Sequence, residues 1–258
     1  MATRIVLKAS DVAAILGRNQ YKPRQEVLQD LWKKYAPQTF TGKTKKDRAE
    51  EALSVSTEAQ SVLASALSTK AKDSLEVQKI YKEAVQKVNS DTKLSASQKA
   101  EVAEHLRSRV YTTHGTRSED KTADKVTVQE NVTWVKDNSF YNYDVCEIGG
   151  RKFVVTGKID RIEERPDGSK VLVEIKNRTN RLFRRVVEYE MIQVQMYLQM
   201  LGLVHAKLVE QYNTQVMSHD ITRDEEMWSN VIQPGLQEFC VELNNCMESW
   251  PSIYAIIY

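Results

Sequence analysis

Cysteine is scarce in this 258-residue chain and follows no pattern. Cys146, Cys240 and Cys246 are an odd three without C-x-x-C spacing, which argues against a disulfide framework or a cysteine zinc site and suits a reducing, intracellular compartment. Glycine is sparse too: no Gly-rich phosphate loop is present, and Gly149-Gly150 reads as a turn. No run of 18 apolar residues exists, so no transmembrane helix is expected, and the apolar stretch before Lys8 is too short for a signal peptide. An excess of one charge is also missing, since 37 Lys and Arg face 35 Asp and Glu, and the net +2 does not by itself point to nucleic acid. What remains is the composition of a soluble globular protein, long enough to bury a core without staples.

The charge is unevenly spread. Residues 1–48 hold 11 Lys and Arg against 4 Asp and Glu, and KNRTNRLFRR at 176–185 has no acid at all. Such stretches serve as phosphate-facing surfaces or simply as solvated faces. The element pattern begins with a short helix over 9–17, with Ser10 as N-cap and Gly17 as terminator, and a second helix over 24–35. Residues 41–110 have one Gly, no Pro and Tyr81 as the single aromatic, which predicts two or three helices of modest hydrophobicity, with a capping box at Ser95–Gln98. Strands are expected at 126–135, 151–164, 170–176 and 206–217, and helices at 184–203 and 223–247. Trp32, Trp134, Trp228 and Trp250 are expected in the core, and His105, His205 and His219 have no partner spacing. The order implies an α/β or α+β fold with a mixed sheet: one domain over 1–258, with N-terminal helices at 9–35 and a helical insertion at about 41–110.

The chemistry concentrates in GKID (157–160) and VEIK (173–176), which flank the turn Pro166-Asp167-Gly168. A three-residue loop there sets Asp160 opposite Glu174, unless a bulge at Gly168 shifts the register by one. Two facing carboxylates repel, and a divalent cation removes the conflict; oxygen ligands suit Mg²⁺ or Mn²⁺. Lys176 projects beside Glu174, where an ammonium orients a water or stabilises a charged transition state. Gln193 and Tyr197 stand at i and i+4 on one helix face, which either flanks the acidic face of the hairpin or is a detail of packing.

Together ASDVAAILGRNQY (9–21), HGTRSE (114–119), GKID, VEIK and QVQMY (193–197) resemble the lambda exonuclease and YqaJ viral recombinase branch of the PD-(D/E)xK nuclease superfamily, in the family's order over most of the chain. The resemblance implies a restriction-endonuclease-like core and a Mg²⁺-dependent DNA exonuclease working 5′ to 3′ on linear duplex ends, for recombination or repair. It makes a single-strand annealing protein a candidate partner. Asp160, Glu174 and the Ile175 carbonyl would hold the metal, Glu119 would assist a second metal or its water, Lys176 would be the catalytic lysine, and Gln193 would contact it, the water or the phosphate. Ile159 stands where the superfamily's proline would be. The family's 5′-phosphate-binding arginine precedes the Ser-Asp helix, and Arg4 stands near that place without a secure alignment. Ser10, Arg178, Arg181, Arg184, Arg185 and Tyr197 are the candidate DNA contacts. His114 is a candidate metal ligand or a plain loop histidine. An endonuclease or single-strand nuclease on the same core, and a non-catalytic DNA-binding protein, stay open as alternatives.

Overall fold

The computed structural model describes residues 2–130 and 132–248. Its first strand, β1 (Thr3–Lys8), alternates Ile5 and Leu7 inward. In the sequence it shows only as a short apolar stretch. β1 runs parallel to β4 (Arg151–Gly157), which pairs antiparallel with β3 (Tyr141–Ile148). A second sheet has the order β2-β5-β6-β7-β8, from Trp134–Lys136, Arg161–Glu164, Lys170–Asn177, His205–Tyr212 and Gln215–Thr222; its β6–β7 pair is parallel and the rest are antiparallel.

The expected strand 151–164 is therefore two strands in different sheets. The chain leaves β4 at Gly157, bends through Lys158–Asp160 and enters β5. Gly157 permits the bend's packing, because a Cβ there would meet the Tyr197 ring at 2.5 Å and Ala9 Cβ at 2.7 Å. The expected strand 206–217 is likewise two, β7 and β8, divided at Asn213, whose φ of 52° makes the hairpin turn.

The helices are α1 (Val12–Ile15), α2 (Arg24–Tyr35), α3 (Lys45–Val55), α4 (Thr57–Ser68), α5 (Ser74–Ser90), α6 (Ala96–Glu130), α7 (Glu188–Leu201), α8 (Glu225–Met227) and α9 (Gln233–Glu248), with a π turn at Trp228–Ile232. Residues 9–17 do not begin with a Ser10 cap: Ala9–Asp11 is a 3-10 turn that contains Ser10, and Gly17, at φ 68°, ends the segment as expected. α7 starts at Glu188 rather than 184 because residues 178–187 form a loop.

The expected strand over 126–135 is overturned. Val126 and Thr127 extend α6, and only Trp134 and Val135 of that run are in a strand. Packing outweighs β-branched propensity here, because Ala123 and Val126 on α6 bury against Trp134, Val173, Ile175 and Val209. The opposite face of the second sheet gives Leu172 and Leu208 to the main core, shared with α1, α2, α7 and α9. β6 thus turns Leu172 and Glu174 toward α7, and Val173 and Ile175 toward α6.

The stretch 41–110 is helical as expected, but α3, α4 and α5 pack on the first half of α6 around an apolar cluster of their own, which includes Leu53, Val77, Val88, Val102 and Leu106. The Ser95–Gln98 capping box forms in both directions. This bundle is latched to the chain beyond β6: Ser74 Oγ donates to the Arg178 carbonyl at 2.7 Å, and Gln78 Nε2 to Asn180 Oδ1 at 3.1 Å. Trp134 and Trp228 are buried and Trp32 partly so, while Trp250 lies outside the described residues. No described helix is long and apolar enough to cross a membrane.

Candidate active site

The β5–β6 register pairs Glu164 with Lys170 and Arg161 with Val173, without the one-residue shift a bulge would bring. Continued by one step, that register points Asp160, in the bend before β5, toward Glu174. The Asp160 side chain folds onto the opposite backbone, where Oδ2 accepts the Ile175 N–H at 2.7 Å. Glu174 is 4% exposed. Its Oε1 accepts Lys176 Nζ at 2.9 Å and Gln193 Nε2 at 3.1 Å, and Lys176 Nζ also donates to Gln193 Oε1 at 3.0 Å. Glu174, Lys176 and Gln193 form a closed triangle of hydrogen bonds.

The electrostatics show what this arrangement wants. Burial, followed by the Asp160 charge, pushes Glu174 up to about 7 against the pull of Lys176. Burial and then the Glu119 charge push Asp160 up to about 6, although the Ile175 N–H draws it down. Glu119, half-buried on α6, is also raised, by burial first and Glu174 second. Lys176 is raised despite its burial, chiefly by Glu174. Three carboxylates disfavour one another's charge, and one ammonium does not balance them.

A cation fits this donor set. Glu174 Oε2 is buried without a hydrogen-bond partner, an arrangement costly for a carboxylate oxygen unless something positive meets it. Among the described residues no three His, Cys, Asp or Glu side chains form a ready-made cage, so Asp160 and Glu174 are the available pair, with Glu119 behind them.

The structure separates the other expected site residues. Ser10 is exposed inside its 3-10 turn and caps no helix, which removes the reason for reading it as a phosphate site. Tyr197 is 4% exposed and its hydroxyl donates to the Lys158 carbonyl at 3.0 Å, so it braces the bend before Asp160 and does not face a DNA surface. Arg178 is likewise turned inward at 9% exposure. It grips Glu190 with both terminal nitrogens and Glu210 with Nε at 2.7 Å, and stacks 4.0 Å over Phe183. Its guanidinium is spent inside the protein. Arg181, Arg184 and Arg185 are exposed, and none has a carboxylate partner among the described residues. His114 lies on α6, not in a loop, with Asp73 and Lys121 as its charged neighbours, away from the acidic pair; burial lowers it. Arg4 donates to Asn142 Oδ1 at 2.6 Å.

Two residues, Arg161 and Asp120, carry no signal of their own in the sequence. Arg161, 5% exposed, donates to the Asp160 carbonyl at 2.6 Å and to Asp120 on α6, tying the bend to the helix that carries Glu119. The neighbouring pairs Asp160-Arg161 and Glu119-Asp120 were the available hint, but their complementarity is visible only once α6 crosses the hairpin.

Among solved structures, an alkaline exonuclease from Laribacter hongkongensis superposes with TM-score 0.43 at 17% identity, over 77% of this chain and 94% of its own. A phage-related exonuclease from Haemophilus somnus 129PT gives 0.40 at 15% identity, over 53% and 73%. The structure of SSO0001 gives 0.40 at 15%, over 64% and 85%. At such scores the likeness carries no argument. No curated protein matches the chain. The sequence does match the PD-(D/E)XK nuclease superfamily over residues 26–239, a span that includes Glu119, Asp160, Glu174, Lys176 and Gln193. With a match over most of its length and mixed sheets flanked by helices, the chain belongs to the PD-(D/E)XK nuclease superfamily.

Proposed function

We propose that the protein is a Mg²⁺- or Mn²⁺-dependent DNA exonuclease of the lambda exonuclease and YqaJ branch, hydrolysing phosphodiester bonds 5′ to 3′ from the ends of linear duplex DNA for recombination or repair. The observation that carries this reading is the Asp160–Glu174–Lys176–Gln193 cluster with its unpartnered carboxylate oxygen. The five motifs in the branch's order support the finer assignment.

Asp160 and Glu174 would hold the metal in their charged forms, with the Ile175 carbonyl and Glu119 as further oxygens. A bound divalent ion supplies Lewis-acid polarisation of the phosphate and a more acidic water. Lys176 keeps its ammonium because Glu174 and Gln193 hold it, and that charge stabilises the negative charge that develops on the reacting phosphate. Gln193 fixes both partners: its amide oxygen takes Lys176 and its amide nitrogen braces Glu174. Strands released by such an enzyme are substrates for a single-strand annealing protein, the partner this reading implies.

The test is digestion of linear and closed circular duplexes, with 5′-phosphate or 5′-hydroxyl ends, with Mg²⁺ or with chelator. Metal-dependent loss of the linear DNA alone, faster from the phosphorylated end, is expected. Cutting of closed circles would replace the exonuclease reading with an endonuclease. The Lys176→Ala variant should bind DNA and fail to cut it; near-normal turnover would remove Lys176 from the chemistry.

A further inference from the structure

We infer that the cavity beside the catalytic cluster, between Tyr21, Tyr189 and the loop bearing Arg181, Arg184 and Arg185, is a subsite for single-stranded DNA that stacks unpaired bases on the tyrosine pair while the arginines take the flanking phosphates. The inference deepens the nuclease reading and rests on it.

The cavity measures about 660 Å³, within the range of ligand sites, and no carboxylate is among the residues that line it. Its place is set by α7. Tyr189 precedes Gln193 by four residues, so the two share a helix face one turn apart, and Gln193 touches Lys176 and Glu174. A strand whose phosphate lies at the catalytic cluster and that runs along this helix face would bring its next nucleotides to Tyr189.

The aromatic component is held in place. Tyr21 is 58% exposed, yet it is not loose. Its N–H donates to Asn19 Oδ1 at 2.9 Å, the next residue's Lys22 Nζ is anchored on Asp11 at 2.8 Å, and its ring meets Tyr189 edge-on at 5.8 Å and 88°. Such a pair offers ring faces to a base without first having to be ordered.

The cationic component is fixed as well. Glu210 is fully buried and accepts the backbone N–H groups of Phe183 at 2.8 Å and Arg184 at 3.1 Å. Arg184 is kept at φ 59°, a left-handed conformation that an arginine seldom adopts, and the loop turns its three arginines outward with no acid to satisfy them. Exposed unpaired guanidiniums beside a wedged aromatic pair match a nucleic acid strand whose bases are free, since paired bases hide their faces from side chains.

The experiment measures binding with metal chelated, so that nothing is cut. Wild-type protein is titrated with a fluorescent single-stranded oligonucleotide, with an abasic strand of equal length, and with a blunt duplex. The intact strand should bind more tightly than the abasic strand, and Tyr21→Ala should weaken intact-strand binding roughly five- to 150-fold per base unstacked. That variant should leave the abasic strand and the duplex unchanged, and Tyr21→Phe should retain wild-type binding. Equal affinity for intact and abasic strands, or an intact-strand affinity indifferent to Tyr21→Ala, overturns the inference. An equal loss for the duplex would mean that the cavity holds paired DNA and overturns it too. The nuclease reading fails separately, by absence of Mg²⁺-dependent cleavage.

Discussion

Two buried charge clusters lie side by side along β6 and the turn after it, and they are built on opposite principles. Around Arg178 every partner is satisfied: Glu190 and Glu210 close on the guanidinium, His219 Nε2 meets Glu210 at 2.8 Å, and the Phe183 and Arg184 N–H groups take what remains. Glu210 is held below the usual carboxylate range, its bonds to Phe183, His219 and Arg178 outweighing burial. Around Glu174 the sign reverses. Three carboxylates raise one another, one oxygen has no partner, and the single ammonium is shared. A closed cluster pins a loop; the open one leaves a buried carboxylate oxygen without a hydrogen-bond partner. The comparison teaches that buried charge comes in two kinds, one balanced by its partners and one left incomplete, and the proposed site is of the second kind.

The largest way to break this contrast is at the open cluster. Asp160→Asn should reduce DNA cleavage roughly a thousandfold or more while the protein stays folded, measured by initial rates beside circular dichroism. Cleavage that survives both this change and excess chelator would remove Asp160 from the metal site.

The closed cluster should respond in stability instead of rate. Arg178→Met leaves Glu190 and Glu210 buried without their cation and should cost about 3–5 kcal/mol of stability, read from the denaturant midpoint at unchanged slope. A loss within experimental scatter would mean that the arginine is no keystone.

The two clusters should also part with pH. Asp160 and Glu174 have folded values above their unfolded ones, so in metal-free protein their contribution to stability is full below about pH 4 and is lost as pH rises through about 6 to 7. The Asp160→Asn, Glu174→Gln double variant should therefore gain in melting temperature over wild type as pH climbs from 4 to 7, and added Mg²⁺ should narrow the gap by stabilising the wild type alone. A gap independent of pH would show the carboxylates to be relaxed.

The smallest effect concerns the loop that the closed cluster pins. Arg184→Ala with Arg185→Ala should lower the salt slope of single-stranded DNA binding by about 0.7 for each phosphate that is no longer neutralised. An unchanged slope would return these arginines to a solvated face and leave the basic N-terminal stretch as the candidate for that surface.

The open cluster was legible in the sequence because its geometry is local. A tight turn at Pro166–Gly168 fixes the hairpin register, the period of two puts Glu174 and Lys176 on one face, and the helical period of α7 supplies Gln193. The closed cluster was not. Arg178 reads as one more cation in a basic run, and its burial depends on Glu190 and Glu210, 12 and 32 positions away. Tyr197 misleads for a related reason, since its burial comes from contacts with Gly157 and Lys158, about 40 positions away in the chain. The strand misread over 126–135 shows the same limit: Val126 takes its conformation from Trp134, Val173 and Val209, not from its neighbours. β1 escapes notice because six residues that pair with a strand far along the chain carry little signal of their own.

Helix α6 is a single rod of 35 residues, with the bundle's apolar contacts at Val102, Leu106 and Val110 near one end and Glu119 and Asp120 further along. Bundle and active site are therefore locked in rotational phase. Each residue added or removed between Val110 and Glu119 would turn the acids about 100° around the axis relative to the bundle. A single deletion there would set the heading of the bundle against that of the stretch with Glu119, Asp120, Ala123 and Val126, which packs on the second sheet, whereas a seven-residue insertion, close to two full turns, would restore the heading and move the two apart by about 10 Å. Length changes across this family should accordingly collect in the turns between α3, α4 and α5 and avoid the stretch of α6 that works as a spindle.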